Sequence, residues 1–236
     1  ATSGTKVVKF RLSSDGWLDP STFRFIFNVV NDDPAPLAGG VTKFLKPIGD
    51  VYAFFRRLRI SVRGIMVEDI SEYNKVSHMF SLLQSPQSRQ NVKNKGFGYN
   101  DEIEKLNDDA TLGGISSYQT VMFKPFSGFF GEAKFRPLHY CPIEIDLELV
   151  SDSNEPIVSL STAEFTALNT SYKWKLENFM VKTDICVSDS AMNNKYTEHL
   201  ASGKTIPIVY YTFISSLQTI VTADTQINVS RSFVKA

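Results

Sequence analysis

Phe55-Arg56-Arg57-Leu58-Arg59-Ile60-Ser61-Val62-Arg63-Gly64-Ile65-Met66-Val67-Glu68-Asp69 is the stretch that decides the fold. Leu58, Ile60 and Val62 alternate with Arg57, Arg59, Ser61 and Arg63. A period of two puts one side of a β-strand in the core and the other in water. Gly64 interrupts the run, and Ile65 and Val67 are expected to resume the apolar face after a bend or tight turn. Arg56, Arg57, Arg59 and Arg63 form the densest basic cluster in the chain. Three readings stand: a nucleic-acid strip, a charged outer sheet face, or one side of an ion-pair surface between subunits with Glu68 and Asp69. The alternation favours the outer face.

Past this stretch, Ile70, Tyr73, Val76, Phe80 and Leu83 step by three and four, the stripe of an amphipathic helix capped by Asp69 or Ser71. A long polar segment then runs from Gln84 to Ser117, with Phe97 and Tyr99 set among glycines. Connections of that length are usually functional or interfacial, so the segment is expected to pack on a neighbouring subunit. Gln119 to Phe123 resumes strand, and Gly128 and Gly131 flank Phe129-Phe130, an expected turn tip with exposed aromatics. In the strand Pro142 to Val150, Ile143, Ile145, Leu147 and Leu149 alternate with Glu144, Asp146 and Glu148. Those three carboxylates can be a metal site or a solvated or subunit-facing edge, and no histidine completes a metal set.

Upstream, Lys6 to Leu12 reads as a strand, and Phe23, Phe25, Phe27 and Val29 share one face of another. Tyr172 to Val187 is extended, with a parity change near Asn178 that implies a bulge. Asp189 can cap a helix carrying Met192, Tyr196, His199 and Leu200 on one face and stopping at Gly203. Strands are expected again at Thr205 to Ile214 and Ile227 to Val234. The fold class is therefore all-β, an antiparallel jelly-roll sandwich with two short inserted helices and long loops.

Composition narrows the function classes. The chain has 236 residues, with 25 Lys+Arg against 25 Asp+Glu, which disfavours a strongly basic nucleic-acid or membrane binder. No apolar run reaches the roughly 20 residues of a spanning helix. The 18 phenylalanines are dispersed along the chain, as a core requires and a single aromatic platform does not. Cys141 and Cys186 make no framework or metal spacing and are expected to be small buried hydrophobes. Asn169-Thr170-Ser171 and Asn228-Val229-Ser230 match the glycosylation sequon, a pattern common by chance. The start at Ala1-Thr2-Ser3-Gly4 and the ending Ser232 to Ala236 in mid-pattern fit a processed chain or a piece of a longer one.

No motif marks an enzyme. G-x-G-x-x-G, the P-loop, G-x-S-x-G and H-E-x-x-H are missing from the sequence, and His78, His139 and His199 are isolated from one another. A cupin metal site needs paired histidines. His139 with Cys141, or acid pairs such as Glu144 with Glu148 and Asp101 with Glu104, have nothing that distinguishes them as catalytic. No catalytic, cofactor or metal residue is assigned, and no cofactor is expected.

Lys46-Pro47-Ile48-Gly49, Phe54-Phe55-Arg56-Arg57-Leu58-Arg59, Val67-Glu68-Asp69-Ile70 and Tyr73-Asn74-Lys75-Val76 resemble segments of the major capsid proteins of double jelly-roll DNA viruses. The likeness is to those of Polinton-like viruses and virophage relatives. It extends to Phe123-Lys124-Pro125, Pro142 to Leu149 and Asp224 to Ser230, in order along most of the chain. The resemblance implies a virion protein whose partner is itself: three copies, each with two jelly rolls, form a pseudo-hexagonal block of an icosahedral shell. Two jelly rolls usually need more than 236 residues. The range 1–236 is thus a jelly-roll capsid domain, either part of a longer double jelly-roll protein or a single jelly-roll relative such as a vertex protein. Phe97, Tyr99, Phe129, Phe130, Arg57 and Arg59 are the candidate interface residues. A jelly-roll recognition module for carbohydrate or a cell-surface partner is the alternative.

Overall fold

The computed structural model describes residues 6–32, 44–48, 51–85, 112–113, 118–158, 170–215 and 217. Twelve strands follow in chain order: β1 (Val7–Leu12), β2 (Trp17–Leu18), β3 (Arg24–Asn31), β4 (Phe44–Leu45), β5 (Phe55–Val62) and β6 (Ile65–Ser71). After them come β7 (Leu112–Gly113), β8 (Tyr118–Phe123), β9 (Arg136–Pro137), β10 (Ile143–Leu149), β11 (Trp174–Lys182) and β12 (Ile185–Cys186). The α-helices among the described residues are α1 (Tyr73–Leu82), the single turn α2 (Gly128–Gly131) and, after β12, α3 (Ser190–Ala201). All strand pairings are antiparallel. One sheet runs β1-β10-β5-β6, a second β11-β3-β8, a small third β12-β2-β9, and β4 pairs β7.

Alternation builds the core. Phe23, Phe25, Phe27 and Val29 are completely buried from the β3 side, as are Leu58 and Ile60 of β5 and Ile143, Ile145 and Leu147 of β10. The inner faces of the two large sheets meet through phenylalanine rings. Phe10 of β1 lies 5.5 Å from Phe25 of β3, and Phe55 of β5 lies 5.5 Å from Phe27 and 5.7 Å from Phe123 of β8. Each buried ring contributes about 1.5–3 kcal/mol, so the dispersed phenylalanines are the main source of cohesion between the sheets.

The β5–β6 hairpin turns at Arg63-Gly64, both at positive φ (51° and 78°), as a two-residue type I′ turn requires. Its second strand corrects the expected register. Ile65 and Met66 are exposed, whereas Glu68 and Ile70 point inward. A register shift between Ile60 and Ser61 offsets the two strands and changes the parity. The N-cap of helix α1 is Glu72, one residue after Ser71 and three after Asp69, the expected caps, which belong to β6; Glu72 is in a left-handed conformation with no side-chain cap bond. β11 has its register shift between Glu177 and Met180, with Asn178 at φ 54°, where the parity change placed a bulge. Asp189 caps α3 through a 2.7 Å bond from Met192 N–H, and Gly203 ends it at φ 75°.

One expected strand does not form: residues 205–214 pair with no strand among the described residues. The other, at 227–234, lies outside the described residues. No helix among the described residues is long and apolar enough to cross a membrane.

Candidate functional site

The candidate interface residues separate into three places. Phe97 and Tyr99, with most of the 84–117 segment, lie outside the described residues. Phe129 and Phe130 are not an exposed tip. They are buried, with Phe130 stacked on Phe23 at 4.1 Å and Phe129 edge-on to Tyr210 at 5.6 Å. Ser127 caps the Gly-Phe-Phe-Gly turn by accepting from Phe130 N–H, and the turn directs both rings into the protein. They are unavailable to a neighbouring subunit.

Arg57 and Arg59 project from the outer face of the β1-β10-β5-β6 sheet. Arg57 makes a bidentate pair with Asp69 of β6, Nε to Oδ1 at 2.7 Å and Nη2 to Oδ2 at 2.6 Å. The hydrogen bond from its side chain to Asp69 raises the Arg57 pKa further above its ordinary value. Arg59 approaches Asp146 of β10 at 3.8 Å, and Lys9 and Arg11 of β1 approach Asp146 and Glu144 at 3.7 and 3.8 Å. The three carboxylates of β10 are therefore on a central strand between two basic rows and not on a sheet edge. Basic and acidic rows alternate strand by strand, which is a neutralised outer face and a poor track for phosphates. Among the described residues, no three His, Cys, Asp or Glu side chains are grouped to hold a metal ion.

The most organised polar cluster centres on Glu68, a residue offered by the sequence, with Asp69, as part of an ion-pair surface between subunits. It is 2% exposed. Its carboxyl group accepts from Ser127 Oγ, from the backbone N–H of Gly128 (2.9 Å) and Phe129 (3.3 Å), and from Thr212 Oγ1 (3.0 Å). Nearby, the buried Tyr73 hydroxyl accepts from Phe126 N–H at 2.7 Å, and burial raises its pKa far above the usual tyrosine value. The sequence signal for an inward Glu68 was its shared parity with Ile70.

Thr212 belongs to the segment 204–215, which has no regular secondary structure and lies along β6, an edge strand. Tyr210 donates to Val67 O at 2.7 Å, Ser215 Oγ to Ser71 O, and Lys134 to Pro207 O at 2.7 Å. Phe213 stacks on Phe126 at 4.6 Å and meets Phe80 at 4.8 Å. Side chains thus occupy edge carbonyls that a further strand would otherwise take. The alternate residues Val209 and Tyr211 remain 74% and 82% exposed.

Between the small β12-β2-β9 sheet, α3 and residues 205–208 lies a cleft of about 850 Å³. Trp17 meets Tyr196 of α3 edge-on at 4.7 Å, and Tyr140 lies 5.4 Å from Tyr196. Cys141 and Cys186 line the same cleft as free thiols, half-buried and exposed respectively, not the buried hydrophobes expected. Their exposure follows from position: Cys186 is on an edge strand two residues long, and Cys141 is in the turn before β10.

No family model matches the chain, and no curated protein matches it.

Proposed function

We propose that this chain is a structural subunit of a viral capsid: a jelly-roll sandwich that works by packing, not catalysis. Three copies form a pseudo-hexagonal capsomer that tiles the icosahedral shell of a DNA virus, and the protein resides in the virion. The observation that carries the reading is the unfinished packing of residues 185–217. Helix α3 has no buried residue, residues 204–215 join no sheet among the described residues, and Val187, Val209, Tyr211 and Leu217 are largely exposed. Large apolar side chains concentrated in one exposed stretch mark contact with other protein. The rigid phenylalanine-filled core, the neutralised outer sheet face and the zero net charge support it, because identical copies then pack without strong mutual repulsion. The resemblance in sequence supplies the viral and trimeric detail. A single jelly-roll vertex subunit is the form of the same reading suited to one sandwich per chain.

Electron micrographs of the purified protein test it: threefold blocks or shells are expected, and dispersed single chains contradict it. The aromatic cleft at Trp17, Tyr140 and Tyr196 is the observation that favours the second reading, a recognition module, which predicts a monomer that retains a soluble ligand.

A further inference from the structure

We infer that the cleft between α3 and the small sheet binds a long apolar molecule with one anionic end, of the fatty-acid class. Its volume of about 850 Å³ falls within the ~300–1,000 Å³ of small-molecule sites. Its walls are mainly apolar and aromatic, with Trp17, Phe135, Met192, Leu200 and Ile206 among them. Among the described residues of the lining, the charged ones are Arg63 and Lys134, both cations. Lys134 uses one N–H on Pro207 O and keeps two donors, and Arg63 sits at the tip of the β5–β6 hairpin. An apolar lining with two cations in it matches an acyl chain ending in a carboxylate, which a guanidinium grips bidentately. Aromatic rings would also stack on sugars. Sugar hydroxyls, however, are most often held by carboxylate or amide side chains, and the described residues of this lining include no Asp, Glu, Asn or Gln. The inference does not depend on the capsid reading.

The two thiols in the wall supply the assay. Alkylation of Cys141 and Cys186 by iodoacetamide is followed by mass spectrometry with laurate below its micelle concentration, dodecanol of the same chain length, or maltohexaose. Laurate is expected to slow alkylation of both cysteines, dodecanol to do so only at higher concentration, and maltohexaose to have no effect. Arg63→Gln with Lys134→Gln should weaken laurate by about tenfold or more, the factor for losing a charge-assisted hydrogen bond, and leave dodecanol unchanged. If that variant does not fold, the laurate-to-dodecanol preference of the unaltered protein decides the matter. Failure of laurate to protect, equal protection by laurate and dodecanol, or protection by maltohexaose would each overturn the inference. So would protection that appears with rising protein concentration alone, since a second copy would then fill the cleft.

Discussion

Glu68 accepts a 2.9 Å hydrogen bond from the backbone N–H of Gly128, joining an edge strand of the larger sheet to the turn that directs Phe129 and Phe130 inward. The carboxyl group also holds Phe129 N–H and Thr212, so one side chain ties together three segments distant in sequence. Glu68→Ala leaves buried N–H donors without an acceptor. The expected loss is about 3–5 kcal/mol by urea unfolding, with Glu68→Gln losing less because its amide oxygen still accepts. A loss under 1 kcal/mol for Glu68→Ala would show that the cluster does not hold the fold.

Gly128 has no room for a side chain. A Cβ there would collide with the carbonyl oxygen of Tyr211, whereas one at Gly131, in the same turn, would meet nothing within 4 Å. Gly128→Ala should therefore lift residues 204–215 from β6 and speed proteolysis within that segment, while Gly131→Ala should not. Equal protease resistance in both variants would contradict the placement of the segment.

The β10 register makes opposite demands on neighbouring residues. Leu147 is fully buried between the sheets, and Leu147→Ala is expected to cost about 2–5 kcal/mol through lost burial and a cavity. Glu148 lies on the outer face, so Glu148→Ala should stay within about 0.5 kcal/mol of the parent. Thermal or urea unfolding of the two variants checks the pair together, and reversed magnitudes would overturn the register.

Arg57 of β5 reaches diagonally to Asp69 of β6, whose register partner is Arg59, in a bidentate pair that is partly open to water. A double-mutant cycle with Arg57→Ala and Asp69→Ala should give a coupling of about 0.2–1 kcal/mol that shrinks with added salt. Nucleic-acid binding should change little in Arg57→Ala. A salt-sensitive loss of RNA or DNA affinity would revive the basic-strip reading.

Local pattern carried much of this architecture. The alternation in β3, β5 and β10, the turn at Gly64, the bulge at Asn178 and the Asp189 cap each depend on residues close in sequence. Failures arose where a distant partner decides. The shift opposite Ile60 reversed the parity of β6 and hid Glu68, because its place is set by how β6 pairs with β5 across the hairpin. Phe129 and Phe130 looked exposed because flanking glycines suggest a tip, yet the stacking surface of Phe23 lies about a hundred residues upstream. Residues 205–214 have a strand's alternation and lack a ladder, because the sequence cannot show whether an edge is taken by backbone or by side chains. The cleft was illegible for the same reason: Trp17, Tyr140 and Tyr196 come from three separate elements, and only the fold unites them.

The capsid reading rests on association of identical chains, and sedimentation equilibrium of the purified protein across a wide concentration range tests it most directly. The expected result is a species of three times the chain mass, or a larger closed particle, that Val209→Glu with Tyr211→Ser shifts toward monomer without unfolding it. A chain that stays monomeric at every concentration would contradict the account.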